Sequence, residues 1–170
     1  ALKEAAIRPR PPPLCAGCPH RASVYAMRQA FPEAIFPGDI GCYTLGIAMG
    51  AVDTCLDMGG GVNLASGFLD TFQQDGVLPP IIASVGDSTF FHACLSALYD
   101  AAAKGKRFIL VVMDNGTTAM TGLQPTPQTG VGADGSQAPP MAIEDIVEGF
   151  GIEHLRIIDP YDVPLLMGTI

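Results

Sequence analysis

Two apolar runs, Ile81-Ile82-Ala83-Ser84-Val85 and Phe108-Ile109-Leu110-Val111-Val112-Met113, lack the polar alternation of a strand with one wet face. A strand of that kind is covered on both sides, which belongs to a parallel sheet sandwiched between helices. The stretch between them, Ser88 to Lys106, has the spacing of a helix opened by Asp87 or Ser88 as cap and closed near Gly105. After the second run come a long irregular stretch (115–140), a helix over 141–151 and a last strand over 152–160, Ile-Glu-His-Leu-Arg-Ile-Ile-Asp-Pro. This rhythm predicts an α/β fold, a three-layer doubly wound parallel sheet with right-handed crossovers. In such sheets ligands bind beyond the carboxyl ends of the strands, where Asp87 and Asn115 fall.

The front of the chain is less regular. Residues 8–14, Arg-Pro-Arg-Pro-Pro-Pro-Leu, hold too many prolines for a helix, so residues 1–14 are expected to be an arm or linker and 15–170 a domain. Helical spacing over 20–31 makes Tyr25, Met27 and Phe31 core candidates, and 33–39 reads as a short strand running into a turn. Residues 41–52 are too rich in glycine for a confident helix and are expected to be a loop leading to a weak element. Residues 58–76 read as a glycine loop, close to something it must approach, followed by a helix that ends at Asp75-Gly76. The glycines and prolines of 115–140 point to mobility.

Charge narrows the function. The net charge is −8 and no basic cluster exceeds Lys104, Lys106 and Arg107, which excludes a nucleic-acid surface; a phosphate ligand must be held by local geometry. No apolar run reaches the ~20 residues of a membrane span, and a cytoplasmic protein is expected. Charged residues are only 15%, against ~25% in typical soluble domains, which predicts a surface partly covered by other protein. The absent initiator Met and the abrupt end point to a piece of a longer polypeptide.

The two strand ends carry the chemistry. Gly86-Asp87-Ser88 and Asp114-Asn115-Gly116-Thr117 converge if the strands are neighbours. A carboxylate, an amide oxygen and a backbone carbonyl form an oxygen-only half-shell suited to Mg²⁺, which keeps water or phosphate oxygens in its other positions. The helix that starts after Gly86 aims its free N–H groups at the same place, which favours a diphosphate. Cys15 and Cys18 form C-x-x-C with His20 close behind, which leaves zinc, an iron–sulfur cluster and plain thiols all open.

Gly-Asp-Ser at 86–88 and Asp-Asn-Gly-Thr-Thr-Ala-Met-Thr-Gly at 114–122, with Asp87 and Asn115 separated by 28 positions, resemble the GDG…NN signature of thiamine diphosphate enzymes. Ser88 and Asp114 depart from the general pattern and match the 2-oxoacid:ferredoxin oxidoreductase branch. Arg-Pro-Pro-Pro-Leu-Cys-Ala-Gly-Cys-Pro-His-Arg (10–21), Gly-Asp-Ile-Gly-Cys-Tyr-Thr-Leu-Gly (38–46) and Ala-Met-Thr-Gly (119–122) are most similar to the α subunits of its indolepyruvate-oxidising members. The resemblance implies a thiamine diphosphate-binding fold in which Asp87, Asn115 and the Thr117 carbonyl hold Mg²⁺. It implies that Gly86 and Ser88 line the diphosphate, that Met120 and Thr121 close over the cofactor, and that Gly41, Cys42 and Tyr43 lie near the thiazolium. His20 and Cys42 are the candidates for catalytic contact. Met58, Gly59 and Gly60 stand where relatives often carry His-Gly-Arg, so a direct histidine contact is lost there. His92 is expected to be half-buried in packing, and His154 on the surface.

Cys15, Cys18 and Cys42 match three of the four ligands of a 4Fe-4S cluster in some relatives; the fourth would be Cys55, Cys94 or a residue elsewhere. The implied activity is oxidative decarboxylation of a 2-oxo acid, an aryl pyruvate such as indolepyruvate, with electrons passing to ferredoxin and the acyl group to coenzyme A. The implied partners are a pyrimidine-binding domain of the same full-length chain, which supplies the activating Glu, and a second subunit. The 170 residues alone are therefore expected to be inactive. Two other readings remain: a zinc-binding structural or assembly domain using Cys15, Cys18 and His20, and a non-oxidative thiamine diphosphate decarboxylase or synthase.

Overall fold

The computed structural model describes residues 8–170, so the first half of the proline-rich arm, residues 1–7, lies outside the described residues. Residues 8–13 are exposed and form no regular element. The packed domain begins at Leu14, which is buried while its carbonyl accepts hydrogen bonds from the Arg21 guanidinium.

Strand β1 (Ile82–Gly86) lies parallel to β2 (Ile109–Met113), with Ile82 opposite Ile109 and Gly86 opposite Met113. This register brings the residues that follow Gly86 and Met113 out at the same edge. On the far side of β1 the Ile82 and Ser84 amides donate to the Ile35 and Pro37 carbonyls, and Pro37 bridges in parallel to Thr54. The expected strand over 33–39 is thus reduced to single bridges, because Pro37 has no N–H to continue a ladder.

Strict alternation assigns the two faces. Ile82, Ile109, Val111 and Met113 pack with Val24, Met27, Phe36 and Tyr43 beneath helix α1 (Pro19–Ala30). Ala83, Val85, Leu110 and Val112 turn the other way, onto α2 (Gly60–Gln74), α4 (Leu95–Ala103) and α5 (Ile143–Gly149). Helix α6 (Val163–Thr169) returns to pack on α1. Helices cover both faces of a parallel sheet, the three-layer α/β arrangement. Among the described residues no helix is long and apolar enough to cross a membrane.

Several expectations need correction. Residues 152–160 form no strand; Ile152 and Leu155 pack against the core while their backbone joins no ladder. Among the described residues no strand pairs with the outer edge of β2, and Ile109 to Val112 are half-buried, whereas every residue of β1 is buried. Tyr25 is 49% exposed, because the buried stripe of α1 runs through His20, Ser23, Val24 and Met27, one step away from it; Phe31 packs at the core's margin. Residues 42–49 form a 3₁₀ helix instead of a loop. The helix after β1 is capped by Gly86, not by Asp87 or Ser88, and is not uniform: α3 (Asp87–Thr89) passes into a π turn (Phe90–Cys94) before α4. That turn rotates His92 to the exposed side, and His92 is not half-buried. His154 is exposed, as expected.

Glycine within a helix costs backbone entropy unless it makes room for something. At Gly67 of α2 an added Cβ meets nothing within 4 Å. Gly67→Ala is expected to stabilise the fold by about 0.5–1 kcal/mol, read as a rise of about 1–4 °C in Tm by calorimetry.

Candidate functional site

The site is built at the carboxyl edge of the sheet. Asp87 is the first residue beyond β1 and is buried; its Oδ1 accepts from the Ser88 amide (2.7 Å) and its Oδ2 from the Thr117 amide (3.1 Å). The same Thr117 amide also donates to Asn115 Oδ1, at 3.1 Å. Two oxygens that share one N–H lie no further apart than twice that distance. The carboxylate of one strand end and the amide oxygen of the other therefore converge, across 28 residues of sequence.

The Thr117 carbonyl is set by the next peptide. The Thr118 amide donates to the Gln124 carbonyl at 3.0 Å, and in a trans peptide the preceding carbonyl points the opposite way, out of that hairpin. Asp87 Oδ2 and Asn115 Oδ1 both face the Thr117 N–H, and the Thr117 carbonyl belongs to the same turn; these are hard oxygen donors of the kind a divalent cation such as Mg²⁺ takes, and a cation would replace that N–H as their shared partner. Burial raises the Asp87 carboxyl above its ordinary value; the Ser88 amide opposes this and the Asp114 charge adds to it. Asp114 is itself held off by the Gly116 amide and by Gln128 Nε2 at 2.8 Å. Ser88 is buried, and its Oγ accepts from Thr118 Oγ1 at 2.8 Å, a second tie between the two strand ends.

Tyr43 packs its ring against Gly86 at this edge. It is 4% exposed and wedged between two glycines, since a Cβ on Gly41 or Gly86 would lie 2.4 or 2.7 Å from its ring; its hydroxyl donates to the Ile40 carbonyl. Burial raises its hydroxyl far above the usual value. His20, buried at the start of α1, sits edge-on to that ring at 6.2 Å between centroids, and burial lowers its pKa, so it is neutral at neutral pH. His20 and Tyr43 thus form a packed support under the edge. Met120 is half exposed at the tip of the hairpin formed by 118–124, beside exposed Thr121. The long loop is tied to itself at Thr118–Gln124 and again at Val131–Gln137, more than its composition suggests.

A buried acid that sequence reasoning passed over joins these parts. Asp39 is fully buried; Oδ1 accepts from the Ile40 amide and Oδ2 from the Gly59 amide at 2.8 Å. Burial raises its carboxyl. Its backbone carbonyl accepts from Thr44 Oγ1 and Cys55 Sγ. One side chain thereby binds the 40–42 loop to the start of α2. The signal was present, an acid at the end of an apolar run, the same pattern that marks Asp87.

The cysteines are less conclusive. The Cys18 amide donates to the Cys15 carbonyl in a tight turn, and charges at Cys18 and Cys15 raise the half-buried Cys42 thiol further than burial alone. Among the described residues no group of three or more His, Cys, Asp or Glu is arranged to hold a metal ion, neither Cys15, Cys18 and His20 nor Cys15, Cys18 and Cys42. Cys94 is buried in the core, and desolvation pushes its thiol up to about 12.

A three-layer α/β sheet whose carboxyl edge gathers a buried carboxylate and an amide oxygen on one N–H belongs to the class of domains that bind a ligand beyond the strand ends. The family model for the thiamine pyrophosphate enzyme C-terminal TPP binding domain matches residues 16–165, and the chain belongs to that family. Among curated relatives, the indolepyruvate oxidoreductase subunit IorA of Archaeoglobus fulgidus is 45% identical over 91% of this chain and 25% of its own length. That of Methanothermobacter thermautotrophicus is 44% identical over 96% of this chain and 27% of its own. The chain spans about a quarter of the length of these relatives. Among solved structures, 2-oxoglutarate:ferredoxin oxidoreductase from Magnetococcus marinus superposes with a TM-score of 0.68 at 19% identity, over 94% of this chain and 60% of that one. Benzoylformate decarboxylase from Polynucleobacter necessarius gives 0.64 at 14%, over 95% and 33%. At those identities the likeness speaks for the fold.

Proposed function

We propose that this chain is the cofactor-holding domain of a 2-oxoacid:ferredoxin oxidoreductase that acts on indolepyruvate or a related aryl pyruvate. The observation that carries the proposal is the meeting of Asp87 and Asn115 on a single N–H. Asp87, Asn115 and the Thr117 carbonyl would hold Mg²⁺, with the amides that follow Gly86 and the Ser88 hydroxyl facing the diphosphate. Thiamine diphosphate, when bound, supplies the carbon acid and electron sink for decarboxylation. The chain's own residues orient the cofactor and neutralise its charge. Buried His20 and Tyr43 would keep the floor under Gly41 and Gly86 rigid, and Cys42 at the head of the 3₁₀ helix would be the thiol that faces the thiazolium. Gly41, Met120 and Thr121 would complete the walls.

The substrate reading rests on the names of the 45% and 44% identical relatives, and the coenzyme A and ferredoxin readings on the resemblance of residues 86–88 and 114–122 to the 2-oxoacid:ferredoxin oxidoreductase branch. The pyrimidine-binding domain and second subunit are proposed as the proteins that cover the carboxyl edge. Cys15, Cys18 and Cys42 are not gathered as metal ligands among the described residues, so a 4Fe-4S cluster on them would require the three to be brought together on assembly, with the fourth ligand from Cys55 or from outside this chain. Iron analysis of anaerobically purified protein checks this: iron present in the wild type and lost in Cys18→Ser is the expected result.

Titration calorimetry tests the central reading. Thiamine diphosphate is expected to bind with Mg²⁺ present and to show no measurable binding after chelation. Binding that is indifferent to chelator, or stoichiometric zinc with no cofactor binding, would overturn it.

A further inference from the structure

The hairpin at 118–124 is closed by the Leu123 amide donating to the Thr118 carbonyl at 3.1 Å, by the Gly122 amide donating to the Ala119 carbonyl at 3.3 Å, and by Gln124, which fastens it with both backbone and side chain. The Gln124 carbonyl accepts from the Thr118 amide at 3.0 Å and from Thr117 Oγ1 at 3.2 Å. Its side chain turns back across the loop: Oε1 accepts from Thr121 Oγ1 at 2.6 Å, and Nε2 donates to the Thr121 carbonyl at 2.8 Å. Within this clasp Leu123 takes φ +63, the left-handed region that a branched side chain disfavours, and Gly122 takes φ +122. A hairpin with such a residue next to its closing pair stays shut only if something holds it. We propose that the Gln124 side chain is the latch that keeps this hairpin closed before any ligand arrives, a positioning residue that sets Met120 and Thr121 in place in advance.

The inference rests on the reading of Met120 and Thr121 as cofactor contacts. A ligand that needs the closed form binds more weakly in proportion to the closed fraction lost. Preorganisation also accounts for the tie from Thr118 Oγ1 to Ser88 Oγ, which anchors the hairpin's first strand to the buried end of β1.

The test compares wild type with Gln124→Ala and with Gln124→Glu in the intact protein. At neutral pH the Glu variant keeps the shape but turns a carboxylate toward the Thr121 carbonyl. Amide exchange by mass spectrometry is expected to be about 3- to 10-fold faster across 117–125 in both variants, the range for losing one or two solvent-accessible hydrogen bonds. Exchange in β1 and β2 should be unchanged. The dissociation constant for thiamine diphosphate with Mg²⁺ should rise by a similar factor, while turnover at saturating cofactor returns to the wild-type value. Unchanged exchange across 117–125 in the isosteric Gln124→Glu would overturn the latch. So would reduced turnover at saturating cofactor with unchanged cofactor affinity. If wild type binds no thiamine diphosphate while the variants still open the hairpin, the latch stands and the cofactor reading falls.

Discussion

Asp87→Ala is expected to abolish Mg²⁺-dependent binding of thiamine diphosphate. Asp87 is the sole charged member of the proposed cation shell, and it is buried. Removing one partner from a buried charge pair costs about 2–5 kcal/mol, roughly 30- to several-thousand-fold in affinity. Asn115→Ala removes a neutral oxygen at an exposed position and is expected to cost about tenfold, near the value of a single hydrogen-bond-like contact. Asp87→Asn separates charge from shape: it keeps an acceptor for one of the two amides, and its binding should fall nearly as far as that of the Ala variant. Calorimetry on the three variants would sink the cation reading if Asp87→Asn binds like wild type.

The same carboxyl fixes the pH behaviour. Its folded value is raised by burial, so the protonated form is favoured in the ligand-free fold. The stability that Asp87 contributes is present below its ordinary value of 3.8 and lost as pH climbs through the raised folded value. Cation binding needs the ionised form and runs the other way: affinity for Mg²⁺ with thiamine diphosphate should increase as pH rises through that range. The cofactor's own phosphate titrates nearby, so the informative comparison is Asp114→Asn. Taking away the neighbouring negative charge should move the Asp87-dependent midpoint to lower pH and leave the phosphate's contribution where it was. A midpoint that does not move in Asp114→Asn would show that Asp87 is not the group being titrated.

How much of this was legible depended on what each residue's neighbours decide. The two strands were visible because the absence of alternation is a statement about both faces, and burial on two faces needs a parallel sheet. Asp87 and Asn115 followed, since oxygen-bearing residues directly after such strands must emerge at one edge. The same logic failed over 152–160, where Ile152 and Leu155 are apolar because they pack on the core, and packing alone does not order a backbone into a ladder. Tyr25 failed through phase: a stripe on α1 that includes His20 and Ser23 cannot be located by counting apolar residues. The π turn at Phe90–Cys94 has no local signature, and Gly59 lies close against it at Ala93. Asp39 was passed over because its partners, the Ile40 and Gly59 amides, lie in loops whose course the sequence did not reveal.

That close approach makes Gly59→Ala the most damaging small substitution to be expected in the domain. Gly59 has φ +93, and a Cβ there would lie 2.7 Å from the Ala93 Cβ and 2.9 Å from the Ala93 carbonyl oxygen. The left-handed conformation costs an alanine about 1–2 kcal/mol, and forcing a methyl group into a filled site adds about 1–3. The clash cannot be relieved by rotating a side chain, because half of it is backbone. Denaturant melts should therefore show a loss of about 2–5 kcal/mol, against the gain expected at Gly67. Ala93 belongs to the helical run that begins at Asp87, so a displaced π turn also displaces the carboxylate, and cofactor affinity should fall along with stability. Adding Ala93→Gly removes the Cβ contact but neither the carbonyl contact nor the strained φ, so the double variant should recover part of the loss, a coupling of about 0.5–3 kcal/mol. Full recovery would place the whole cost on the side-chain contact; no recovery at all would mean that α2 and the π turn do not meet as described, and that the glycines of 59–61 serve some purpose other than letting these two segments close on each other.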